Sequence, residues 1–201
     1  MVLFLPVLSL GIFKYTDKIM LGVFGMQTEL GYYENAERII NIPLGVVFSF
    51  GAVMLPRISS LANHDNSKQI ERYMSLSIKY MGGLSLAMAA GLIGIANVFA
   101  PVFWGAEFKM SGVLIQILAL SIPASTLANI MRNQDMIPHG KDKEYAISVF
   151  IGAVVNIFLN LLLIRRFKSI GVSLATVCAE FTVFLVQWIF IRKSYRFFRC
   201  Y

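Results

Sequence analysis

The sequence predicts an all-α polytopic membrane protein with six transmembrane helices that form one bundle, and three observations lead to this fold class. Hydrophobic residues make up 57% of the 201 residues, whereas charged residues make up only 14%. The mean hydropathy is +0.69. A soluble domain of this size cannot bury so much apolar surface. The apolar residues also gather in runs of about 20, the length of helix that crosses a bilayer core.

Six apolar runs are long enough to cross the membrane, and they cover roughly 2–26, 39–56, 80–104, 111–131, 145–164 and 169–191. The polar segments between these runs are too short to form a soluble domain. Consecutive helices are therefore predicted to be antiparallel neighbours within a single transmembrane domain over residues 1–201.

Three local features predict how these helices pack and end. Small residues recur every four positions at Gly83, Ala87 and Gly91, a spacing typical of faces where membrane helices approach closely. Pro43 lies inside the second run, where its missing backbone donor predicts a kink or a weakened helix. Apolar residues within the linker 57–79 recur at helical spacing, which predicts a short amphipathic helix on the cytoplasmic surface, with a solvated loop as the alternative.

The distribution of basic residues predicts the orientation of the bundle. Eleven of the 18 lysines and arginines lie on one side, in the linkers 57–79 and 132–144 and after the last run. The positive-inside rule places this side, and both termini with it, in the cytoplasm. A cluster of three basic residues falls on the opposite side against the rule; it comprises Arg165, Arg166 and Lys168.

Three charges interrupt the first apolar run, in the stretch GIFKYTDKIMLGVFG, at Lys14, Asp17 and Lys18. The apolar residues of this run favour insertion by ~6 kcal/mol, and three charges near its centre oppose insertion by ~9 kcal/mol. At 100° per residue the three side chains share one sector of the helix, which must face other protein or water. If Asp17 pairs with Lys14, one positive charge is left over. This sector then either lines a pathway for an anionic cargo or forms an ion-pair cluster that only fixes packing.

Charges also lie at the start of the second run, in YYENAERIINIP. Glu34 and Arg38 are four residues apart, as are Glu37 and Asn41, and this spacing brings side chains together on a helix. These residues either extend the charged pathway or occupy an ordinary position at the membrane interface.

Polar residues share one helical face in each of the last two runs. Asn156 and Asn160 do so in the fifth run, and their amides predict hydrogen bonds between helices. Thr176, Glu180 and Gln187 do so in the sixth run. An ionisable group at this depth indicates a pathway or a proton site at Glu180, with a structural role as the alternative.

Other classes of function find no support in the sequence. The net charge of +7 comes from short basic clusters between apolar runs, which fit loops beside membrane lipids rather than a nucleic-acid surface. A Gly-rich phosphate loop, a spacing of metal ligands and a set of catalytic side chains are all missing. The sequence therefore predicts neither an enzyme nor a bound cofactor.

Several motifs resemble, in order, the C-terminal half of bacterial polysaccharide-repeat-unit flippases of the multidrug/oligosaccharidyl-lipid/polysaccharide exporter superfamily. They are YTDKIMLG, GYYENAERIINIP, VMLPRIS, PVFWGAEFK, MIPHGKDKEYAIS, NIFLNLLLI and SIGVSLATVCAE, which together span nearly the whole chain. Asp17 and Lys18 match the DK of the first motif, and Glu34, Asn35 and Arg38 match the ENAER of the second. Lys14 lies outside the matched part.

The resemblance implies two six-helix bundles around a central cavity that opens alternately to each side of the bacterial cytoplasmic membrane. It implies an undecaprenyl-diphosphate-linked oligosaccharide as the cargo, for capsule or surface polysaccharide synthesis. Coupling to H⁺, to Na⁺ or to the membrane potential is consistent with this mechanism. The chain begins where the seventh helix of the family would be. The resemblance therefore implies that the N-terminal bundle is missing or is supplied by a partner chain.

The predicted cargo pathway comprises eight residues, namely Lys14, Asp17, Lys18, Glu34, Asn35, Arg38, Asn41 and Glu180. Two alternatives stay open: another exporter of the superfamily, either a peptidoglycan-precursor flippase or a cation-coupled drug exporter, and a non-transporting membrane remnant or assembly partner. An exporter of cationic drugs favours acidic residues in its cavity, whereas the first apolar run is net positive.

Overall fold

The computed structural model describes residues 15–63 and 66–194, and within these ranges the chain is helical with short turns and no strand. Helix α1 occupies 15–23 of the described residues. It is followed by α2 (Gln27–Asn63), α3 (Ser67–Trp104), a single 3₁₀ turn (Ala106–Phe108), α4 (Lys109–Ala119), α5 (Ser121–Met131), a π-helix (Arg132–Met136) and α6 (Asp142–Ser194).

Two glycines end helical segments in the same way. After α1, the N–H of Met26 donates to the carbonyl of Leu21 and the N–H of Gly25 donates to that of Gly22. Gly25 adopts a φ of 71°, so this turn is a Schellman motif, which requires a residue in the left-handed region. Gly140, with a φ of 66°, closes the segment before α6 by the same pattern. These turns fix the direction in which each following helix starts.

Helices α2 and α3 are much longer than the predicted spans. They contain 37 and 38 residues, which corresponds to ~55 Å each, against an apolar bilayer core of ~30 Å. The linker residues that recur at helical spacing are helical, but a separate short helix within 57–79 is wrong, because residues 57–63 belong to α2 and residues 67–79 belong to α3. The Arg57 guanidinium lies 4.6 Å from the centre of the Tyr73 ring and donates to its hydroxyl, which joins the two helices there.

Proline does not interrupt α2. The helix runs through Pro43 and Pro56 as one element, so the predicted weakening at Pro43 does not break it. Each proline removes one backbone donor, and the hydrogen bonds of the neighbouring turns maintain the helix.

Two breaks divide the second half of the chain. α4 and α5 meet at an angle of 40° at Leu120. Within α6, Lys168 has a φ of 47° and a ψ of −130°, which splits the helix into an arm over 142–167 and an arm over 169–194. Each arm is ~39 Å long and can cross a bilayer core.

The helices are consistent with a polytopic membrane protein. Within the described residues, three helices (α2, α3 and α6) are long and apolar enough to cross a membrane, or four spans if α4 and α5 form one. Since α6 consists of two arms and α1 is described only from residue 15, a total of six crossings stays a prediction. Many large apolar side chains on the outer surface are exposed, including Val102 at 82% and Val23 at 79%, as expected where lipid surrounds the bundle.

The main core joins α1, α2, α3, α4 and both arms of α6 around buried residues such as Leu21, Ile40 and Leu114. The close approach of α3 and α4 depends on Gly112, because a Cβ there would lie 2.8 Å from the Ala96 carbonyl oxygen. The expectation that Gly83 and Gly91 form a packing face is wrong for the described helices. A Cβ built on either glycine meets no atom within 4 Å.

A second close approach joins α2 to α5 and the π-helix. A Cβ on Gly51 would lie 2.2 Å from Asn129 Oδ1 and 2.4 Å from Asn133 Nδ2. The Asn133 amide donates to Asn129 Oδ1 at 3.1 Å, so both side chains lie together over the glycine. Only hydrogen at position 51 leaves room for this pair.

Candidate functional site

A cavity of ≈ 410 Å³ lies inside the bundle, lined by α1, α2, α4, α5 and both arms of α6. Its lining recurs once per turn on α5, at Ser125 and Asn129, and continues at Arg132 of the π-helix. On the second arm of α6 the lining residues are Thr176, Glu180, Val183 and Gln187. The eleven helical steps from residue 176 to residue 187 extend about 16 Å. The cavity is therefore elongated along the helices.

Asp17 lies at one end of this cavity and is only 4% exposed. Its Oδ1 accepts a hydrogen bond from Asn160 Nδ2 at 2.6 Å. Its Oδ2 accepts hydrogen bonds from the Tyr33 hydroxyl at 2.8 Å and from Thr176 Oγ1 at 2.7 Å. These donors come from α2 and from both arms of α6, so the carboxylate joins three helical segments to α1. Donors on both oxygens stabilise a charged carboxylate away from bulk water.

Further oxygen atoms surround Asp17. Asn160 also donates to Asn156 Oδ1 at 3.2 Å, and Thr176 Oγ1 lies 3.0 Å from the Val172 carbonyl oxygen. Asn160 Oδ1 is buried with no hydrogen-bond partner among the described residues. Carboxylate, amide, hydroxyl and carbonyl oxygens are the ligands that hard cations take. The cluster can thus exchange a proton or hold a small cation.

A metal site with stronger ligands is not found in the described part of the chain. No three His, Cys, Asp or Glu side chains are grouped there in a way that would hold a metal ion. The Asp17 cluster has one carboxylate, so its chemistry suits a monovalent cation or a proton better than a tightly bound divalent metal.

Lys18 forms an ion pair with Glu37, with 2.7 Å between Nζ and Oε2. Two side-chain contacts therefore join α1 to α2. Asp17 accepts a hydrogen bond from Tyr33, and Lys18, the next residue on α1, pairs with Glu37, one turn further along α2. The prediction that a positive charge is left over in this sector does not hold for Lys18, because Glu37 balances it. The predicted pairing of Asp17 with Lys14 cannot be placed, since Lys14 lies outside the described residues.

The charges on the cavity wall are mostly negative. Among the described lining residues there are three carboxylates, Asp17, Glu37 and Glu180, and one guanidinium, that of Arg132. Since Lys14 lies outside the described residues, the expected positively biased face stays a prediction. With Glu37 paired to Lys18, two carboxylates remain against one guanidinium among the described lining residues, and this balance favours cations over anions.

Glu180 lies one turn beyond Thr176 and projects into the cavity. Its Oε2 accepts a hydrogen bond from Ser125 Oγ at 2.9 Å. The predicted shared face of Thr176, Glu180 and Gln187 thus forms one wall of the cavity. Ser125 supplies the partner from the opposite wall, on α5.

The remaining predicted residues lie on α2 and differ in position. Asn41 is exposed and lines the cavity, whereas Glu34 and Asn35 are partly buried and do not line it. Arg38 is exposed and lies about 110° around α2 from the centre of the cavity face. The ENAER motif therefore presents Arg38 to a different environment from that of Tyr33 and Glu37.

Sequence reasoning missed Arg132, because the apolar run ends at residue 131 and Arg132 then falls in a predicted cytoplasmic linker. It also missed Tyr145, which opens the fifth run without a charge to mark it. The π-helix instead carries the chain onward inside the bundle. There the Arg132 guanidinium lies 4.9 Å from the centre of the Tyr145 ring. The spacing of Asn129 and Asn133, which places a polar face at the end of α5, was the available signal.

Comparison with known proteins matches nearly the whole chain to transport proteins. The family model described as "Lipid II flippase MurJ" matches residues 15–200. A protein named "Putative O-antigen transporter" from Shigella dysenteriae is 21% identical over 182 residues, which are 90% of this chain and 45% of that protein. The "Lipid II flippase MurJ" of Bacillus subtilis is 23% identical over 159 residues, which are 78% of this chain and 29% of that protein.

An archaeal relative extends the range of cargo named for this group. The "Probable low-salt glycan biosynthesis flippase Agl15" of Haloferax volcanii is 24% identical over 164 residues, 82% of this chain and 34% of that protein. The chain thus spans less than half the length of each of these relatives.

Proposed function

The chain belongs to the lipid II flippase MurJ family, and on that premise we propose that it forms one six-helix bundle of a flippase for undecaprenyl-diphosphate-linked oligosaccharide. The observation that carries this proposal is the family match over residues 15–200. The relatives named for O-antigen transport and glycan biosynthesis favour an oligosaccharide repeat unit as the cargo. The amphiphilic cargo keeps its lipid tail in the bilayer while its head group crosses through the protein.

Arg38 and Lys18 are proposed to meet the cargo diphosphate. Arg38 is exposed on α2, and a guanidinium offers two parallel donors to a phosphate group. Lys18 lies beside the cavity in its ion pair with Glu37. Because that pair is only partly buried, an incoming diphosphate can compete with Glu37 for the ammonium group.

Asp17 is proposed to bind the coupling ion, which is H⁺ or Na⁺ driven by its gradient or by the membrane potential. A buried carboxylate in contact with three helical segments changes its bonds to each of them when a cation neutralises it. Such a group links occupancy of the ion site to the arrangement of the helices.

The second bundle and the orientation complete the proposal. The chain spans less than half the length of these relatives. In the proposed transporter, a matching N-terminal half supplies the other wall of the central cavity. We propose that the protein lies in the cytoplasmic membrane with both termini in the cytoplasm, as the basic residues predict. A cysteine at Thr28 should then react with an impermeant thiol reagent in intact cells, whereas one at Asn66 should not. The reverse pattern would disprove the orientation.

A cation-coupled drug exporter is the second candidate, because the described cavity wall carries three carboxylates against one guanidinium. The sequence argument against this function, a net positive first run, is weakened by the pairing of Lys18 with Glu37. The family match favours the flippase instead, and it leaves a peptidoglycan precursor as an alternative cargo of the same chemical class.

Complementation separates these functions. The chain, co-expressed with a matching N-terminal half, should restore surface polysaccharide in a strain without its repeat-unit flippase. Survival of a strain depleted of its lipid II flippase would identify the peptidoglycan precursor as cargo. Increased resistance to cationic drugs without either effect would identify a drug exporter. Restoration by the 201-residue chain alone would refute the two-bundle proposal.

A further inference from the structure

We infer that Glu180 is a second cation-carrying carboxylate, and that the coupling cation moves between Asp17 and the Arg132 end of the cavity by way of Glu180. This inference rests on the proposed function, which places the coupling ion at Asp17. It adds a route for that ion inside the bundle. The cation is H⁺ or Na⁺, since a carboxylate can neutralise either one.

The shape of the cavity fits such a route. It runs for about 16 Å along α5 and the second arm of α6, from Thr176 to Gln187. Its volume of ≈ 410 Å³ is room for roughly a dozen waters at their share of liquid volume. Glu180 lies one turn from Thr176, which donates to Asp17. Asp17 and Glu180 therefore offer two successive positions for a cation along the same cavity.

Polar atoms without partners indicate that the far end of the cavity holds water. Gln187 is 1% exposed and lines the cavity, and its Oε1 has no hydrogen-bond partner among the described residues. Arg132 Nε is likewise buried without a partner in that part of the chain. One is an acceptor and the other a donor, and a buried polar atom without a partner is costly unless water satisfies it. A cation can move along such a hydrated path.

The charges that face Glu180 come from every side of the cavity. α1 contributes Asp17, α2 contributes Tyr33 and Glu37, and the first arm of α6 contributes Tyr145. α5 contributes only neutral side chains there, and Arg132 follows at its end. Since Lys18 pairs with Glu37, Asp17 and Glu180 face Arg132 alone, and the one negative charge in excess attracts a cation. Arg132 compensates the Glu180 charge after the cation has left.

The transfer balances in either form. If the ion is a proton, the Asp17 carboxyl releases it through water to the Glu180 carboxylate, which then releases it to water at the Arg132 end. Asp17 and Glu180 both finish ionised, and one proton has crossed this part of the bundle. If the ion is Na⁺, the same carboxylates exchange their water ligands for it in turn and no covalent bond changes.

The first experiment tests cation access to the cavity in membranes that contain the chain. Cys178 and Cys200 are replaced by alanine, and single cysteines are placed at Ser125 and Gln187. A small cationic thiol reagent should label both positions faster than an anionic reagent of similar size. Leu185, 48% exposed on the same arm of α6, is the matched control and should show no such preference.

Adding Glu180→Gln to the Gln187→Cys protein should remove the preference for the cationic reagent. Equal rates for the two reagents in the protein that retains Glu180 would overturn the inference, whatever cargo the transporter moves.

The second experiment measures cation flux in liposomes that contain the chain and its matching N-terminal half, under a pH gradient or a Na⁺ gradient. A pH-sensitive or Na⁺-sensitive dye inside the vesicles identifies the ion. Glu180→Gln should lose most of the flux, and Glu180→Asp should retain more of it. Phe181→Leu, a change at the neighbouring exposed position, should retain it fully.

The outcomes separate this inference from the proposed function. If Asp17→Asn abolishes the flux but Glu180→Gln does not, the route through Glu180 is wrong while the coupling role of Asp17 stands. If the unmodified protein carries neither ion, the proposed coupling fails and the inference fails with it. Loss of flux in both variants, with normal membrane levels, supports the route.

Discussion

The two ends of the cavity satisfy their polar groups in opposite ways. At the Asp17 end, both carboxylate oxygens accept hydrogen bonds from donors on α2 and α6. At the Arg132 end, the guanidinium Nε and Gln187 Oε1 have no such partner among the described residues. A carboxylate that accepts several hydrogen bonds is fixed in position, whereas buried polar atoms without a partner need water molecules to satisfy them. One end is therefore suited to holding an ion and the other to admitting it.

The largest expected effect follows from Asp17→Asn. The amide keeps the shape of the side chain but replaces one acceptor oxygen with an NH₂ donor. That donor would face groups that now donate hydrogen bonds to Asp17. We expect a loss of stability of about 1–3 kcal/mol and loss of export. Thermal unfolding of the purified protein and a surface polysaccharide assay measure the two effects.

Lys18→Ala provides the comparison for Asp17→Asn. If Lys18 binds the cargo and Asp17 only neutralises Lys18, then Lys18→Ala should reduce export more than Asp17→Asn does. If Lys18→Ala proved more damaging to both stability and export, the hydrogen bonds to Asp17 would not be the main anchor at this end of the cavity.

Gly51→Ala should have the next largest effect, at the Arg132 end. The added Cβ would lie 2.2 Å from Asn129 Oδ1, so the Asn129 and Asn133 pair must move or α2 must shift. Overpacking of this kind costs about 1–3 kcal/mol, read as a lower unfolding temperature. Gly45→Ala on the same helix is the control, since a Cβ there meets no atom within 4 Å. Equal effects of the two changes would show that α2 and α5 do not approach so closely.

The Lys18–Glu37 pair should contribute less to stability. The two side chains are 28% and 24% exposed, and partly exposed ion pairs are worth about 0.2–1 kcal/mol. A double-mutant cycle with Lys18→Met and Glu37→Gln should give a coupling energy in that range. Export should fall with Lys18→Met and should not return in the double variant if Lys18 meets the cargo. Full recovery in the double variant would leave Lys18 with a structural role.

Gln187→Leu should have the smallest effect on stability. The change removes a buried acceptor without a partner and a bond of 3.2 Å to Ser148, so we expect the unfolding free energy to change by less than about 1 kcal/mol. Cation flux should decrease, because an apolar side chain displaces water at that end. A large loss of stability with unchanged flux would contradict the assignment of the Arg132 end as the hydrated one.

The sequence predicts what depends on helical spacing. The period of 3.6 places Thr176, Glu180 and Gln187 on one face, and these residues do form one wall of the cavity. The cost of burying charge predicts that the first run turns Asp17 away from lipid, and Asp17 is indeed buried. These features follow from single helices.

The partners across helices do not follow from spacing. Asn160 and Thr176 bind Asp17 from 143 and 159 residues away along the chain, and only tertiary packing brings them together. The pairing of Lys18 with Glu37 depends on the register between α1 and α2, which the turn at Gly25 fixes. Arg132 was missed because hydropathy ends the run at residue 131, although a π-helix follows there.

The length of α2 has a mechanical consequence. Tyr33 bonds to Asp17 near one end of this helix, and Asn63 ends it 30 residues further on, about 45 Å away. If the helix moves as a rigid lever, a rotation of about 10° at Tyr33 displaces its far tip by about 8 Å. A small adjustment at the ion cluster would be amplified at the far end of α2. A distance probe attached near the C-terminal end of α2 should therefore report movements of this helix that begin at Asp17.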